Sequence, residues 1–137
     1  MKILNISSFM TVFILVTIVF YFSWLPSPEI GFLGIFPAWL GRWTNANANA
    51  NLRTAVPFLF FGTIAEIWYF NTSSPFKRRV IMLLVSSLIV IVAEVGQLFL
   101  PKRTFDLRDI AWGITGTATG IITGFGLCYL YRRCKES

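Results

Sequence analysis

Three long stretches without a charged residue place the strongest constraint on how this chain can fold. Residues 3–28, 80–93 and 110–131 contain no Asp, Glu, Lys or Arg. A bilayer core of about 30 Å requires about 20 apolar residues in an α-helix, and backbone groups surrounded by lipid must find their hydrogen bonds within the segment. Overall, 55% of the residues are hydrophobic and 13% are charged, which is about half the charged share of a soluble domain. We therefore predict an all-α integral membrane protein.

Four helices are predicted to span the membrane as one bundle, in a single transmembrane domain over residues 1–137. The predicted spans are residues 3–25, 54–70, 80–100 and 110–131. The second of them is short and contains Glu66. The first could alternatively be a signal peptide. A retained span is favoured because its apolar stretch exceeds a typical signal core and no small-residue cleavage site follows Leu25.

Basic residues are distributed unevenly between the two sides of this bundle. The side with the termini and the second loop holds Lys2, Lys77, Arg78, Arg79, Arg132, Arg133 and Lys135, and the other side holds Arg42, Arg53, Lys102, Arg103 and Arg108. Since positively charged loops stay inside, both termini are predicted to be cytoplasmic. The net charge of +6 then reflects helix ends that meet anionic lipid headgroups, and no nucleic-acid partner is expected.

The first loop combines aromatic residues with a repetitive tract. Aromatic side chains fall at helical spacing over residues 32–43, interrupted by Pro37, which predicts a short interfacial or re-entrant segment. Residues 45–51 read NANANAN. Alternation of period two would suit a strand, but Ala and Asn are poor strand formers, so a flexible spacer is favoured.

The chain has few residues that could bind a metal ion or form a disulfide. It contains no histidine and two cysteines, Cys128 in the fourth span and Cys134 in the basic tail. The tail is predicted to be cytoplasmic, where thiols stay reduced. We therefore expect no metal site, no cofactor and no disulfide.

Polar side chains inside the predicted spans are the first candidates for function, because each charge costs at least about 2.5 kcal/mol at the centre of a membrane helix. For Glu66 we favour a position at the cytoplasmic interface near the basic second loop over a catalytic or transport role. Glu94 lies about 10 Å inside the end of the third span, and Gln97 shares its helix face. Both must point into the bundle or into a wet cavity. The two glutamates are then on opposite sides of the membrane and do not form one acid/base site.

The loop after the third span supplies charges that can meet Glu94. Three basic residues can neutralise it, and a guanidinium can bind a carboxylate through two parallel hydrogen bonds. They are Lys102, Arg103 and Arg108. Asp106 and Asp109 precede the fourth span, where an aspartate can cap the helix.

Small residues recur along one face of the fourth span. They are Gly113, Gly116, Gly120 and Gly124, at spacings of three and four. Such a stripe allows another helix to pack closely. We expect it to bring the third span, with Glu94 and Gln97, against the two aspartates.

Together these positions read Glu94-x-x-Gln97-x-Phe99-x-Pro101-x-Arg103-x-x-Asp106-x-x-Asp109, followed by Gly116 and Gly120. The pattern resembles the hallmark of the VanZ-like family of small bacterial membrane proteins and covers the third and fourth spans. In the second span, Asn51, Thr54 and Phe58 stand where that family often has Lys, His and Tyr, and Gly113 stands where it commonly has Asn. The resemblance implies a bacterial plasma-membrane location and an envelope-related role, because the family is named for a protein associated with resistance to the glycopeptide teicoplanin.

Three classes of function are compatible with these features. The favoured one is a non-enzymatic protein whose outer-leaflet polar cluster engages membrane lipid, a lipid-linked envelope precursor or a glycopeptide. The second is an intramembrane enzyme acting on a lipid or peptidoglycan precursor, although the chain has no histidine base and no activated nucleophile. The third is a structural or transport partner subunit. The polar cluster could alternatively be a structural clasp between two helices, and for Asp109 and Gly116 this structural role is favoured.

Overall fold

Every regular element in the described part of the chain is a helix. The computed structural model describes residues 6–25, 34, 37–46, 49–70, 74–101 and 104–136. In chain order the helices are α1 (Ile6–Ser23), α2 (Ala38–Asn45), α3 (Ala50–Tyr69), α4 (Pro75–Gln97) and α5 (Leu107–Glu136). The predicted all-α fold class is therefore confirmed.

The four predicted spans coincide with α1, α3, α4 and α5, although the helix ends differ. Helix α4 begins at Pro75, before the predicted span, because proline suits the first helical turn and the basic residues that follow it continue the helix. Two helices, α4 and α5, are long and apolar enough to cross a membrane, and α1 has a shorter apolar part, Met10–Ser23. The number of membrane spans therefore stays a prediction.

A short helix occupies part of the aromatic first loop. Helix α2 begins directly after Pro37 and has 8 residues. The side chain of Asn49 donates from Nδ2 to the carbonyl oxygen of Trp43 at 2.9 Å and so links the end of α2 to the start of α3. Because Ala is the best helix former and Asn side chains bond nearby backbone groups, most described residues of the 45–51 tract lie at helix ends. The prediction of a flexible spacer is wrong for these residues.

Helices α3 and α5 form the most extensive contact among the described elements, and glycines make it possible. A methyl group added at Gly120 would lie 2.8 Å from the backbone nitrogen of Thr63, and one added at Gly116 would meet the backbone of α3 as closely. Gly62 of α3 packs reciprocally on the backbone of α5. The Thr63 hydroxyl donates across the interface to the carbonyl oxygen of Gly120 at 3.1 Å. The two backbones are thus in direct contact.

The partner of the glycine stripe differs from the prediction. Three of its four glycines pack on α3, and Gly113 lies against the side chain of Val90 on α4. Close approach needs small residues on both helices, and α3 offers Gly62 and Ala55 at the facing positions. The predicted packing of the stripe on the third span therefore holds for Gly113 alone, and for the other three glycines the prediction is wrong.

Polar side chains are buried in this bundle while large apolar side chains are exposed. Glu66, Ser86 and Thr117 have no exposed surface, whereas Leu84 and Ile122 expose 65% and 72% of theirs. The described core also contains apolar residues such as Phe58 and Val90, but so many exposed large apolar side chains are unusual for a soluble domain. Such outward faces suit an apolar surrounding.

The end of α1 docks on α4 through Trp24. Its indole Nε1 donates to the carbonyl oxygen of Ala93 at 3.1 Å, and its ring stacks on Phe20 with centroids 4.9 Å apart. Gly96 leaves space for this indole, since an added methyl group would lie 2.6 Å from Cε2 of Trp24. The contact sets the end of α1 beside the polar end of α4.

Candidate functional site

Glu94 joins the end of α4 to the segment before α5. Its side chain is 3% exposed. Oε1 accepts a hydrogen bond from Gln97 Nε2 at 3.1 Å, and Oε2 accepts one from the backbone nitrogen of Asp106 at 3.1 Å. Because a buried carboxylate requires donors, these bonds hold the two segments together. The prediction that Glu94 and Gln97 share an inward face is confirmed.

Gln97 extends this polar cluster to α1. Its Nε2 donates to the hydroxyl oxygen of Ser23 at 2.8 Å as well as to Glu94. Both hydrogens of the amide nitrogen are therefore used, one toward α1 and one along α4. The cluster thus connects three segments that are distant in sequence.

A cavity of about 130 Å³ lies beside Glu94 and Gln97, between α1, α3, α4 and α5. Its apolar wall includes Phe22 and Phe58. Its polar residues come from all four helices and are Ser23, Arg53, Thr54, Glu94, Gln97 and Asp109. The cavity therefore has one guanidinium and two carboxylates in its wall.

The two aspartates before the fourth span have different positions. Asp106 accepts a hydrogen bond at Oδ1 from the backbone nitrogen of Arg108 at 2.8 Å, just before the first turn of α5. This is the geometry of a helix N-cap, so capping by one aspartate is confirmed. Asp109 lies one turn further along and lines the cavity. It is placed where a ligand could reach it, in addition to any structural role.

Of the three basic residues predicted to neutralise Glu94, the structure describes one. The side chain of Arg108 is exposed. Lys102 and Arg103 lie outside the described residues. Among the described residues, the basic residue that lines the cavity with Glu94 is Arg53, at the start of α3.

Arg53 and Thr54 are absent from the sequence-based site candidates. In the sequence, Arg53 is a basic residue near a helix end that helps to orient the helices. Nothing in its neighbourhood along the chain links it to Glu94. A signal exists nonetheless, since Thr54 and Phe58 occupy two positions of the VanZ-like pattern in the second span, and both line the cavity. Those two positions therefore indicate that the start of α3 belongs to the candidate site.

Comparisons of the chain with family models, curated proteins and solved structures gave no match. The chemistry of the site follows from its geometry. A guanidinium, two carboxylates and several neutral polar groups surround a space that holds several water molecules or one small polar group. Among the described residues, no three His, Cys, Asp or Glu side chains are grouped so as to hold a metal ion. The arrangement suits recognition of a small charged group.

A second buried carboxylate, Glu66, lies on α3 and is held by two arginines of α4. Arg79 Nη2 donates to Oε1 at 2.6 Å, and Arg78 Nη2 lies 3.0 Å from each carboxylate oxygen. Arg78 Nη1 also donates to the carbonyl of Tyr69, the last residue of α3, where a cation is favourable. The predicted proximity of Glu66 to the basic second loop is confirmed, although its side chain is fully buried.

Glu66 and Glu94 lie at opposite ends of the bundle. The separation can be read along α4, because Arg79 contacts Glu66 and is 15 residues from Glu94. At 1.5 Å per residue this is about 22 Å. The two glutamates are therefore two separate polar sites rather than one catalytic pair.

Proposed function

We propose that this chain is an integral membrane protein in which α1, α3, α4 and α5 cross the bilayer. Two observations support it. Helices α4 and α5 are long and apolar enough for a span, and all four helices turn large apolar side chains outward, among them Phe13, Phe60, Leu84 and Ile122. Lipid is a surrounding in which such faces need no protein partner.

In this proposal the protein lies in a bacterial plasma membrane with both termini in the cytoplasm. The support for the orientation is the excess of Lys and Arg on the side of the termini and the second loop. The support for the bacterial setting is the VanZ-like motif of the third and fourth spans, which is also the basis for proposing membership of that family. The Glu94 cavity then faces the outer leaflet, and Glu66 lies toward the cytoplasm.

The cavity, in our proposal, binds a polar group of a cell-envelope component and contributes in this way to glycopeptide resistance. The observation that carries this function is the convergence of Arg53, Glu94 and Asp109, from three helices, on one cavity. A guanidinium binds phosphate or carboxylate groups, and the two carboxylates can accept hydrogen bonds from hydroxyl or amine groups of the same component. The volume of about 130 Å³ is below the roughly 300–1,000 Å³ typical of sites for drug-sized ligands. The size favours the headgroup of a lipid-linked precursor over a whole glycopeptide.

Antibiotic susceptibility of a deletion strain tests this function. Deletion should lower the minimal inhibitory concentration of teicoplanin at least about fourfold, and the native gene should restore it. Arg53→Ala should fail to complement, because a phosphate held by the guanidinium loses its charge-assisted hydrogen bonds, each worth about 1.5–3 kcal/mol.

Arg42→Ala is the matched control, since Arg42 is an exposed arginine on α2 on the same predicted side of the membrane. It should complement like the native gene. Immunoblots of membrane fractions establish equal amounts of the variants. Full complementation by Arg53→Ala would show that the cavity is not the functional site, and a deletion without effect on envelope antibiotics would contradict the envelope role.

An enzyme acting on a lipid precursor is a second candidate, favoured by the presence of two carboxylates, Glu94 and Asp109, at one cavity. Carboxylates at hydrogen-bonding distance of a substrate can serve as general acids and bases. Incubation of the purified protein with lipid-linked precursors, followed by chromatography of the products, separates the two functions. Turnover that is lost in Glu94→Gln would establish the enzyme, and binding without turnover would leave the recognition function.

A further inference from the structure

An apolar cleft opens beside the junction of α3 and α4, at the opposite end of the bundle from the Glu94 cavity. Its volume is about 410 Å³, and its lining residues are Tyr69, Ser74, Lys77, Arg78, Ile81 and Met82. The surface that lines the cleft is almost entirely apolar, and Lys77 and Arg78 contribute mainly their aliphatic stems to it. Their positive charges lie beside this apolar surface, an arrangement that matches an amphipathic ligand.

Positive charge is in excess on the cationic side of the cleft. Arg78 and Arg79 share the single carboxylate of Glu66. Lys77 precedes them on α4 and is exposed. Three cations therefore stand against one anion in this group. The balance favours a ligand with negative charge.

The guanidinium of Arg78 is held inside the bundle, beside the cleft. Its Nη1 donates to the carbonyl of Tyr69 and its Nη2 to Glu66. Its side chain is 10% exposed, and among the described residues its buried Nε has no hydrogen-bond partner. Arg78 therefore adds positive charge near the cleft, while the exposed ammonium group of Lys77 is the cation that a ligand can contact directly.

We infer that the cleft binds one anionic phospholipid, with its phosphate at Lys77, near the charge of Arg78, and an acyl chain along Tyr69, Ile81 and Met82. A free phosphate ion would use the cations and leave the apolar wall uncovered, whereas a phospholipid covers both. The inference rests on the membrane location proposed above and not on the Glu94 cavity. In the proposed orientation the cleft faces the inner leaflet, whose anionic lipids attract Lys and Arg.

Lipid titration of the purified full chain in detergent, followed by native mass spectrometry, tests this site. Phosphatidylglycerol is the anionic probe and phosphatidylcholine the probe without net charge. We expect phosphatidylglycerol to bind about tenfold more tightly, and Lys77→Ala to remove most of that preference. Ile81→Trp should weaken phosphatidylglycerol binding by filling the cleft, at a side chain that is already 49% exposed and so can be enlarged without disturbing the fold.

Arg133→Ala is the matched control, because Arg133 is exposed, belongs to the same basic end of the bundle and does not line the cleft. It should bind phosphatidylglycerol like the native chain. Equal affinity for the two lipids, or equal losses in Lys77→Ala and Arg133→Ala, would overturn the inference. Complete displacement of the lipid by inorganic phosphate would reassign the cleft to free phosphate and would overturn it as well.

The result is separable from the function proposed for the Glu94 cavity. Arg53 lies at the other end of the bundle, so the Arg53→Ala variant should bind phosphatidylglycerol like the native chain. Failure of Arg53→Ala to complement the deletion strain, together with unchanged lipid binding, would support both proposals independently. Recovery of the protein in the detergent-free soluble fraction of cells would contradict the membrane location on which the lipid site rests.

Discussion

Replacing Gly120 with leucine should lower the free energy of unfolding by about 3 kcal/mol or more, because α5 packs directly on the backbone of α3 at this position. An added Cβ would lie 2.8 Å from the backbone nitrogen of Thr63 and 3.0 Å from the carbonyl carbon of Leu59. These are backbone atoms of a helix, which cannot move aside as a flexible side chain can. The two helices must separate, which also breaks the 3.1 Å hydrogen bond from the Thr63 hydroxyl to Gly120.

Gly126→Leu is the matched control for this substitution. Gly126 lies on α5 less than two turns from Gly120, and a Cβ built there meets nothing within 4 Å. Since leucine has a higher helix propensity than glycine, this variant should be as stable as the native protein or more stable by up to about 1 kcal/mol. Chemical unfolding of the purified protein in detergent, followed by circular dichroism, measures both variants. Equal midpoints for Gly120→Leu and Gly126→Leu would contradict the packing of α5 on α3.

Glu66→Gln should destabilise the protein by about 3–5 kcal/mol, because it removes the buried anion that Arg78 and Arg79 share. The native carboxylate has no exposed surface and accepts from Arg78 and Arg79. Glutamine has nearly the same shape, so the change removes charge and leaves packing almost intact. Its amide group would also present hydrogens to guanidinium groups that are themselves donors. The loss should appear as a lower unfolding midpoint and as reduced protein in membranes.

Glu136→Gln controls for removal of a carboxylate as such. Glu136 is exposed at the end of α5, and its substitution should change stability by less than about 0.5 kcal/mol. A second variant, Glu66→Asp, retains the charge on a shorter side chain and should recover part of the stability lost in Glu66→Gln. If Glu66→Gln were as stable as Glu136→Gln, the buried ion-pair cluster would have no energetic role.

The features that the sequence predicted well are those set by local spacing. Gln97 follows Glu94 by three residues, so any helix places both on one face, and the structure shows them hydrogen-bonded at 3.1 Å. Asp106 precedes an apolar helix and caps it. Gly120 and its neighbours recur at spacings that require close packing somewhere. Each of these inferences needs only the geometry of one helix.

The features that the sequence did not reveal depend on which helices meet. A glycine stripe predicts that another helix packs closely, but it does not identify that helix. Here most of the stripe packs on α3 rather than α4, because α3 has small residues, including Gly62, at the facing positions. As a consequence Arg53, at the start of α3, lies at the cavity with Glu94 and Asp109. The sequence predicts that Glu94 lies near the aspartates, and in the structure Glu94 bonds the backbone of Asp106 while Gly113 alone of the stripe packs on α4.

The sequence alone determines that the chain forms helices and where they approximately end. It also determines that the third predicted span ends in polar residues. Both follow from the charge-free stretches and the isolated polar residues between and within them. Hydrophobic periodicity and capping act over a few residues, so they can be read directly from the order of amino acids. The cavity, the Arg53 position and the pairing of Glu66 with Arg78 and Arg79 arise from contacts between residues that are distant in the chain. Such contacts depend on the side-chain volumes and charges of two surfaces at once. Both polar sites are therefore determined by tertiary packing and not by the local sequence pattern.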